Sequence, residues 1–263
     1  MSTIKTDNIV NRTGDQDSGL DLGTNDVVKV KTANTERVRV DASGNVGIGT
    51  SPSHPLHILT STDGTGLSGD DKWAAVIRNA EATDARSYGL KVQAGSTTDQ
   101  AFAITDHDGS NDLMAVTGSG YVTTPKQPYF HAVGNSTQAW SGTGAYQNLQ
   151  FNTAWENNGS HYNTSNYTFT VPVAGRYFFW YTFTNTTNSS GGPEAWLVYT
   201  PSGGSASYRA NAIVYNDYYT TVGNNAVVNC AKDATVVIKL FNNNNTSFTI
   251  DCTRSTFGGY LIG

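Results

Sequence analysis

The sequence predicts an all-β protein in which an elongated, β-rich N-terminal shaft leads into a β-sandwich head, and three observations carry that expectation. The 263 residues include 27 Gly, abundant Ser, Thr and Asn, and only 14% charged residues. Those small polar residues lose entropy in a helix or compete for its backbone bonds. Apolar and polar residues alternate with a period of two through several short segments, as half-covered strands require. The aromatic residues are also unevenly divided. Residues 1–120 hold only Trp73, Tyr88 and Phe102, and all the others, including 13 of the 14 Tyr, follow. Large rings dominate core energetics, so the second part can build a core of its own and the first cannot easily do so as a monomer.

Charge divides the same way. Residues 1–120 carry 10 of the 16 Lys+Arg and 16 of the 21 Asp+Glu, which places a boundary near Tyr121. The net charge of −5 argues against nucleic acid as a partner. There is no 18-residue apolar run, so no membrane insertion is expected. The start, MSTIKTDNIV, lacks the apolar core of a secretory signal. Cys230 and Cys252 are the two cysteines. Neighbouring strands could bring them within bridging distance, but a chain assembled in a reducing cytoplasm keeps them as small buried hydrophobes, and free thiols are expected.

In chain order, VVKVKT (Val27 to Thr32) and RVRVDA (Arg37 to Ala42) alternate strictly, valine on one face and Lys or Arg on the other, with ANTE as the turn between them. Such a pair is marginal alone, and stacking several chains around an axis would bury the valine stripe. Next, GNVGIGTSP holds Gly44, Gly47 and Gly49 in the order G-x-x-G-x-G, the reverse of a dinucleotide fingerprint. Pro52 and Pro55 stand where a phosphate-binding helix would begin. A tight turn is the better reading. His54 and His57, three apart on an extended strand, would face opposite sides and could not chelate one ion within a chain. DKWAAVIRNAEA fits helical spacing at Trp73, Val76, Ile77 and Ala80, yet runs into YGLKVQA and AFAITD, which alternate, so strand–turn–strand is expected. DHDGSND (Asp106 to Asp112) reads as a polar hairpin loop, without the calcium-loop pattern. RVRVDASGNVGIGTSP is echoed in layout by LMAVTGSGYVTTPKQP (Leu113 to Pro128), which suggests a stacked architecture.

After residue 121 many short strands follow at regular spacing, as in a sandwich or barrel. In RYFFWYTF, Tyr177, Phe179, Tyr181 and Phe183 share one face, and Phe178 and Trp180 the other. A strand aromatic on both faces needs a core on one side and a second cover on the other, for which a subunit interface is the natural choice. Phe169, Tyr177, Phe178, Phe179, Trp180, Tyr181, Phe257 and Tyr260 are therefore candidates for core or seam. Only five acids lie in this half, Glu156, Glu194, Asp217, Asp233 and Asp251, and no two are close in sequence. Nothing positive supports catalysis, a cofactor or a metal. Tyr215, Asn216, Asp217, Tyr218 and Tyr219, with Trp196 and Tyr208, are the receptor-binding candidates, because Tyr and Asn together make adaptable recognition surfaces. The same tyrosines could instead pack the core or the seam. Asn216-Asp217 reads as a turn, which favours exposure of YNDYY.

Residues Phe151, Asn157, Tyr162, Phe169, Gly175, Tyr177, Phe179 and Tyr181 are spaced as in the globular-head domain of complement and related tumour-necrosis-factor-like jelly rolls. The ending STFGGYLIG and the preceding AKDATVVIKL, with Lys232-Asp233 at its opening turn, resemble the last two strands of those heads. The resemblance spans about residues 128–263 and implies a ten-stranded jelly roll that associates as a compact trimer through an aromatic face. STIKTDNIVNRTG resembles the opening of phage tail-fibre proteins, and RVDASGNVGIGTSP resembles a recurring fibre module. Together these two cover roughly residues 1–60, while residues 61–120 match only in style.

The expectation is a phage tail-fibre or receptor-binding protein. Residues 1–60 attach to the virion and start the shaft, residues 61–125 extend it, and residues 126–263 form a trimeric jelly-roll β-sandwich head. Its partners are two further copies of itself, other phage tail or virion proteins through the N-terminus, and a host-surface glycan or outer-membrane protein. Its location is the virion, after assembly in the host cytoplasm. A structural decoration or knob protein without a receptor is the alternative, followed by a polysaccharide-degrading tailspike.

Overall fold

The structure, a computed structural model, describes residues 6–10, 17–59, 77, 90–93, 96–106, 108–140, 145–187, 192–214, 218–242 and 246–263. The chain divides into two compact units, Met1–Lys91 and Val92–Gly263. All regular structure among the described residues is β.

The first unit is one six-stranded sheet in sequence order. Its strands are β1 (Asn8–Val10), β2 (Gly19–Asp21), β3 (Val28–Thr32), β4 (Thr35–Val40), β5 (Val46–Ile48) and β6 (Leu56–Ile58). Neighbours are antiparallel except β5 and β6. The alternation in β3 and β4 does what the sequence implies. Leu20, Val30, Val38, Ile48 and Ile58 pair successively across the sheet into one aliphatic row. On the other face Lys31 pairs with Asp21, and Arg39 grips Glu36 through two bonds of 2.7 and 2.8 Å. The β3–β4 hairpin turns through Ala33 and Asn34, both left-handed at φ 50° and 56°, which matches the twist of the flanking strands.

The glycine segment is a turn of the sheet. Gly44 has φ 83°, and Asp41 accepts from the amides of Ser43 and Asn45 beside it. A Cβ on Gly47 would overlap the Thr50 carbonyl, and one on Gly49 the Leu59 carbonyl. The chain's own backbone therefore occupies the space these glycines leave. Around His54 the expectation fails. Residues 53–55 are bent rather than extended, so the rings of His54 and His57 meet edge to face at 5.8 Å and both contact the Ser53 hydroxyl, at 2.9 and 3.2 Å. The opposite-faces reading assumed a strand that the Ser-Pro and His-Pro steps prevent.

The second unit opens with a three-stranded antiparallel sheet of β7 (Gln100–Thr105), β8 (Asp112–Thr117) and β9 (Val122–Thr123). The polar loop at Asp106 closes its first hairpin, with Asp106 accepting from Asn111. The sequence echo is a structural one. In both copies the residue that enters the turn bonds the residue four further on, Asp41 N to Asn45 O at 3.0 Å and Thr117 N to Tyr121 O at 2.9 Å. Gly44 and Gly120 then occupy equivalent left-handed positions, at φ 83° and 85°. Trp73 and most of DKWAAVIRNAEA lie outside the described residues. Of YGLKVQA, the described residues 90–93 form no strand.

The head is a sandwich of two antiparallel sheets. The first runs β13 (Thr153–Asn158), β10 (Tyr129–Val133), β21 (Phe248–Leu261), β16 (Gly175–Asn185), β19 (Thr220–Cys230), with β11 (Thr137–Trp140) also on β21. The second runs β14 (Tyr162–Asn163), β15 (Thr168–Thr170), β20 (Thr235–Phe241), β17 (Glu194–Thr200), β18 (Ser207–Ile213), with β12 (Gln147–Asn148) on β20. This is the predicted jelly-roll β-sandwich. Between the sheets lie Phe130, Trp140, Phe151, Phe169, Tyr177, Phe179, Tyr181, Phe183 and Phe257, all buried. Phe169, Tyr177, Phe179, Tyr181 and Phe257 are thus core residues. Cys230 and Cys252 are buried free thiols.

Candidate functional site

Parity along β16 sends its even-numbered rings outward. Strand pairing then aligns two rows across the outer face of the first sheet. Tyr129, Tyr260, Phe178 and Val227 form one, and His131, Gly258 and Trp180 the other. Gly258 is decisive, because a Cβ there would overlap the Trp180 ring, so the indole lies flat across the backbone and reaches His131 at 6.0 Å. Trp155 of β13 meets His131 edge to face at 5.0 Å and is 64% exposed. Phe178, Trp180 and Tyr260 interlock at 5.7 to 6.3 Å. His131 contacts the Thr256 hydroxyl at 2.7 Å. Burial holds its pKa below the usual imidazole range, against the pull of Glu156. An uncharged imidazole is in keeping with the rings packed around it.

The second sheet carries its own aromatic cluster. Trp196 of β17 and Tyr208 of β18 meet edge to face at 5.6 Å, and Tyr146 joins Tyr208 at 5.2 Å and Phe241 at 4.6 Å. Tyr146 and Tyr208 remain half exposed. Glu194 is buried at the start of β17, and the Trp196 indole nitrogen is buried without a hydrogen-bond partner. Burial, then Tyr208 and Glu194, raise the pKa of the Tyr146 hydroxyl. The cluster can stack a ring and exchange hydrogen bonds with its substituents.

A third exposed pair stands at Tyr218 and Tyr219, whose rings meet at right angles at 4.6 Å. Tyr219 is left-handed, at φ 57°. The Arg254 guanidinium lies 5.7 Å over its ring and pairs with Asp251 at 3.4 Å. Of the receptor-binding candidates, Trp196 and Tyr208 come together, Tyr218 and Tyr219 stand side by side and exposed, and Tyr215, Asn216 and Asp217 lie outside the described residues. Sequence reasoning missed Tyr129, His131 and Trp155 on the first face, although YFHAV alternates legibly around Phe130. It also missed Tyr146 and Phe241, which only the strand pairing brings to Trp196. Among the described residues no group of three His, Cys, Asp or Glu could hold a metal ion, and no helix is long and apolar enough to cross a membrane.

The profile of the C1q domain matches residues 130–262, which is half of the chain. The chain belongs to the C1q domain family. Among solved structures, its C1q domain is similar to the globular domain of zebrafish complement 1qA protein, at 19% identity and a TM-score of 0.41, over 52% of this chain and 98% of that one. It is also similar to murine APRIL, at 10% identity and 0.42, over 52% and 100%, and to Eiger TNF from S. frugiperda, at 9% and 0.44, over 52% and 94%. No curated protein matches the chain in sequence.

Proposed function

We propose that this chain is a phage tail-fibre or receptor-binding protein, a homotrimeric adhesin that recognises a host-surface glycan or outer-membrane protein through its C1q domain without catalysis. One observation carries the reading: the head exposes aromatic clusters on both of its opposite sheets. The first-sheet face of Trp155, Phe178, Trp180 and Tyr260 is apolar and continuous, which suits burial against further copies. The second-sheet cluster at Trp196, Tyr208 and Tyr146 mixes rings with polar groups, which suits a ligand. C1q and tumour-necrosis-factor-like domains often act as trimeric binding modules, in keeping with this division. Residues 1–60, with their fibre-like motifs, dock on other tail or virion proteins, and residues 61–125 continue the shaft. Three identical heads present the same weak site three times, so that avidity supplies the affinity.

The test combines mass and adhesion. Light scattering of the full chain is expected to give three times the monomer mass. Labelled protein is expected to bind host cells, and Tyr208→Ala to reduce that binding at unchanged mass. A monomeric mass sinks the architecture. A trimer that binds no host cell supports a structural knob instead, and release of reducing sugar from host polysaccharide supports a tailspike.

A further inference from the structure

At the edge of the sandwich, where β19 of the first sheet runs beside β18 of the second, Arg176, Arg209, Val227, Val228 and Asn229 line a cleft of about 510 Å³. That is room for one or two sugar residues. Arg176 is anchored through its backbone and Arg209 through its side chain. The backbone of Arg176 is fixed by its amide bond to the Gly263 carbonyl at 2.8 Å and by the Ile262 amide on its own carbonyl at 2.7 Å. The guanidinium of Arg209 lies 5.5 Å from the ring centre of Tyr199. That ring is buried and anchored in turn, its hydroxyl accepting from the Ala231 amide at 3.1 Å.

Charge is what distinguishes the cleft. The head has six Lys+Arg in all, and two of them line this one opening with no acid among its lining residues. Among the described residues neither guanidinium forms an ion pair, whereas Arg254 is paired with Asp251. Asn229, directly across the ladder from Arg176, adds an amide donor, and Val227, 60% exposed, supplies an apolar wall. Guanidinium forks match the paired oxygens of carboxylate, phosphate and sulfate, and such charge-assisted bonds are about twice as strong as neutral ones.

We propose that this cleft binds an oxyanion, a carboxylate, phosphate or sulfate, clamped between Arg176 and Arg209. If the adhesin reading holds, on which this source rests, the group belongs to an acidic polysaccharide of the host surface. Calorimetry of the full-length protein at low salt separates the possibilities, with methyl β-D-glucuronide, inorganic phosphate, inorganic sulfate and neutral methyl β-D-glucoside as probes. At least one anion is expected to bind, more weakly as salt rises, and the glucoside not to bind. Glucuronide preference points to uronic acids, and phosphate or sulfate preference to substituted sugars. Arg176→Gln with Arg209→Gln is expected to weaken anion binding at least tenfold, with the melting temperature confirming the fold. Absence of anion binding, equal binding of the glucoside, or an unaffected double variant each overturns the proposal. Host-cell binding that survives in the double variant removes the cleft's role and leaves the adhesin reading intact. Anion binding by a protein that adheres to no cell does the reverse.

Discussion

Asn157 shows how much one side chain fixes in this head. Its amide donates to the Tyr162 carbonyl at 2.8 Å and its oxygen accepts from the Tyr162 amide at 3.0 Å, which sets the β13–β14 crossing. The Tyr162 hydroxyl then reaches the Phe151 carbonyl at 2.8 Å. Asn157→Ala leaves two backbone groups unpartnered at a half-buried crossing. A loss of about 1–3 kcal/mol is expected, read as a fall in the melting temperature. Ionisation at buried groups sets an upper pH limit. Burial pushes the thiol of Cys230 up to about 11 and that of Cys252 up to about 12, and raises the phenols of Tyr162 and Tyr181 above their ordinary value. Each group keeps its proton longer when folded than when unfolded. Their contribution is therefore complete below pH 9, where unfolded thiols begin to ionise, and is lost as pH rises through 11 and 12. Melting temperatures measured from pH 8 to 12 are expected to fall progressively above 9, and a flat profile would contradict the burial. The thiols were legible as small buried hydrophobes. The seat that Gly258 gives Trp180 was not, because parity says which way a ring points and nothing about what it lies on.

At the level of elements, β16 was the most legible part of the chain. Its alternation assigned Tyr177, Phe179, Tyr181 and Phe183 to one face and Phe178 and Trp180 to the other, and the sandwich places them so. That separation yields opposite phenotypes from adjacent residues. Phe179→Ala opens a cavity in the core and is expected to cost about 3–5 kcal/mol, seen as an early unfolding midpoint in denaturant. On the homotrimer reading, Trp180→Glu, one residue on, is expected to leave the midpoint of the isolated fold nearly unchanged and to reduce the light-scattering mass from trimer to monomer. Equal loss of stability in both variants would argue that the outer face is structural in the single chain. Periodicity misled at His54 and His57, where it was carried into a segment that bends, and at residues 90–93, which alternate but form no strand. It was also silent on Trp196, Tyr208 and Tyr146, whose meeting depends on which strands pair and not on any local pattern.

The whole molecule poses one question twice, once in each compact unit: what covers an apolar β surface that the described residues leave open. In the first unit the row of Leu20, Val30, Val38 and Ile48 stands exposed or half exposed. The opposite face meanwhile carries the ion pairs Lys31–Asp21 and Arg39–Glu36. Sequence composition already implied this need, since residues 1–120 hold three aromatics and cannot easily fill a core alone. It could not show that the apolar positions align into one row, because that register follows from the Ala33-Asn34 turn and its left-handed residues. On the homotrimer reading the same three chains cover both surfaces. Val30→Cys should then place thiols of different copies within bridging distance, and Lys29→Cys, on the charged face, should hold them apart. Mild oxidation of each full-length variant, read by non-reducing electrophoresis, is expected to give interchain dimers from Val30→Cys and none from Lys29→Cys. The native thiols, buried and held above their ordinary pKa, are expected to stay silent. Equal cross-linking at both positions would mean collisional oxidation rather than a shared axis, and the absence of any would leave the aliphatic row to some other cover than a second copy of this chain.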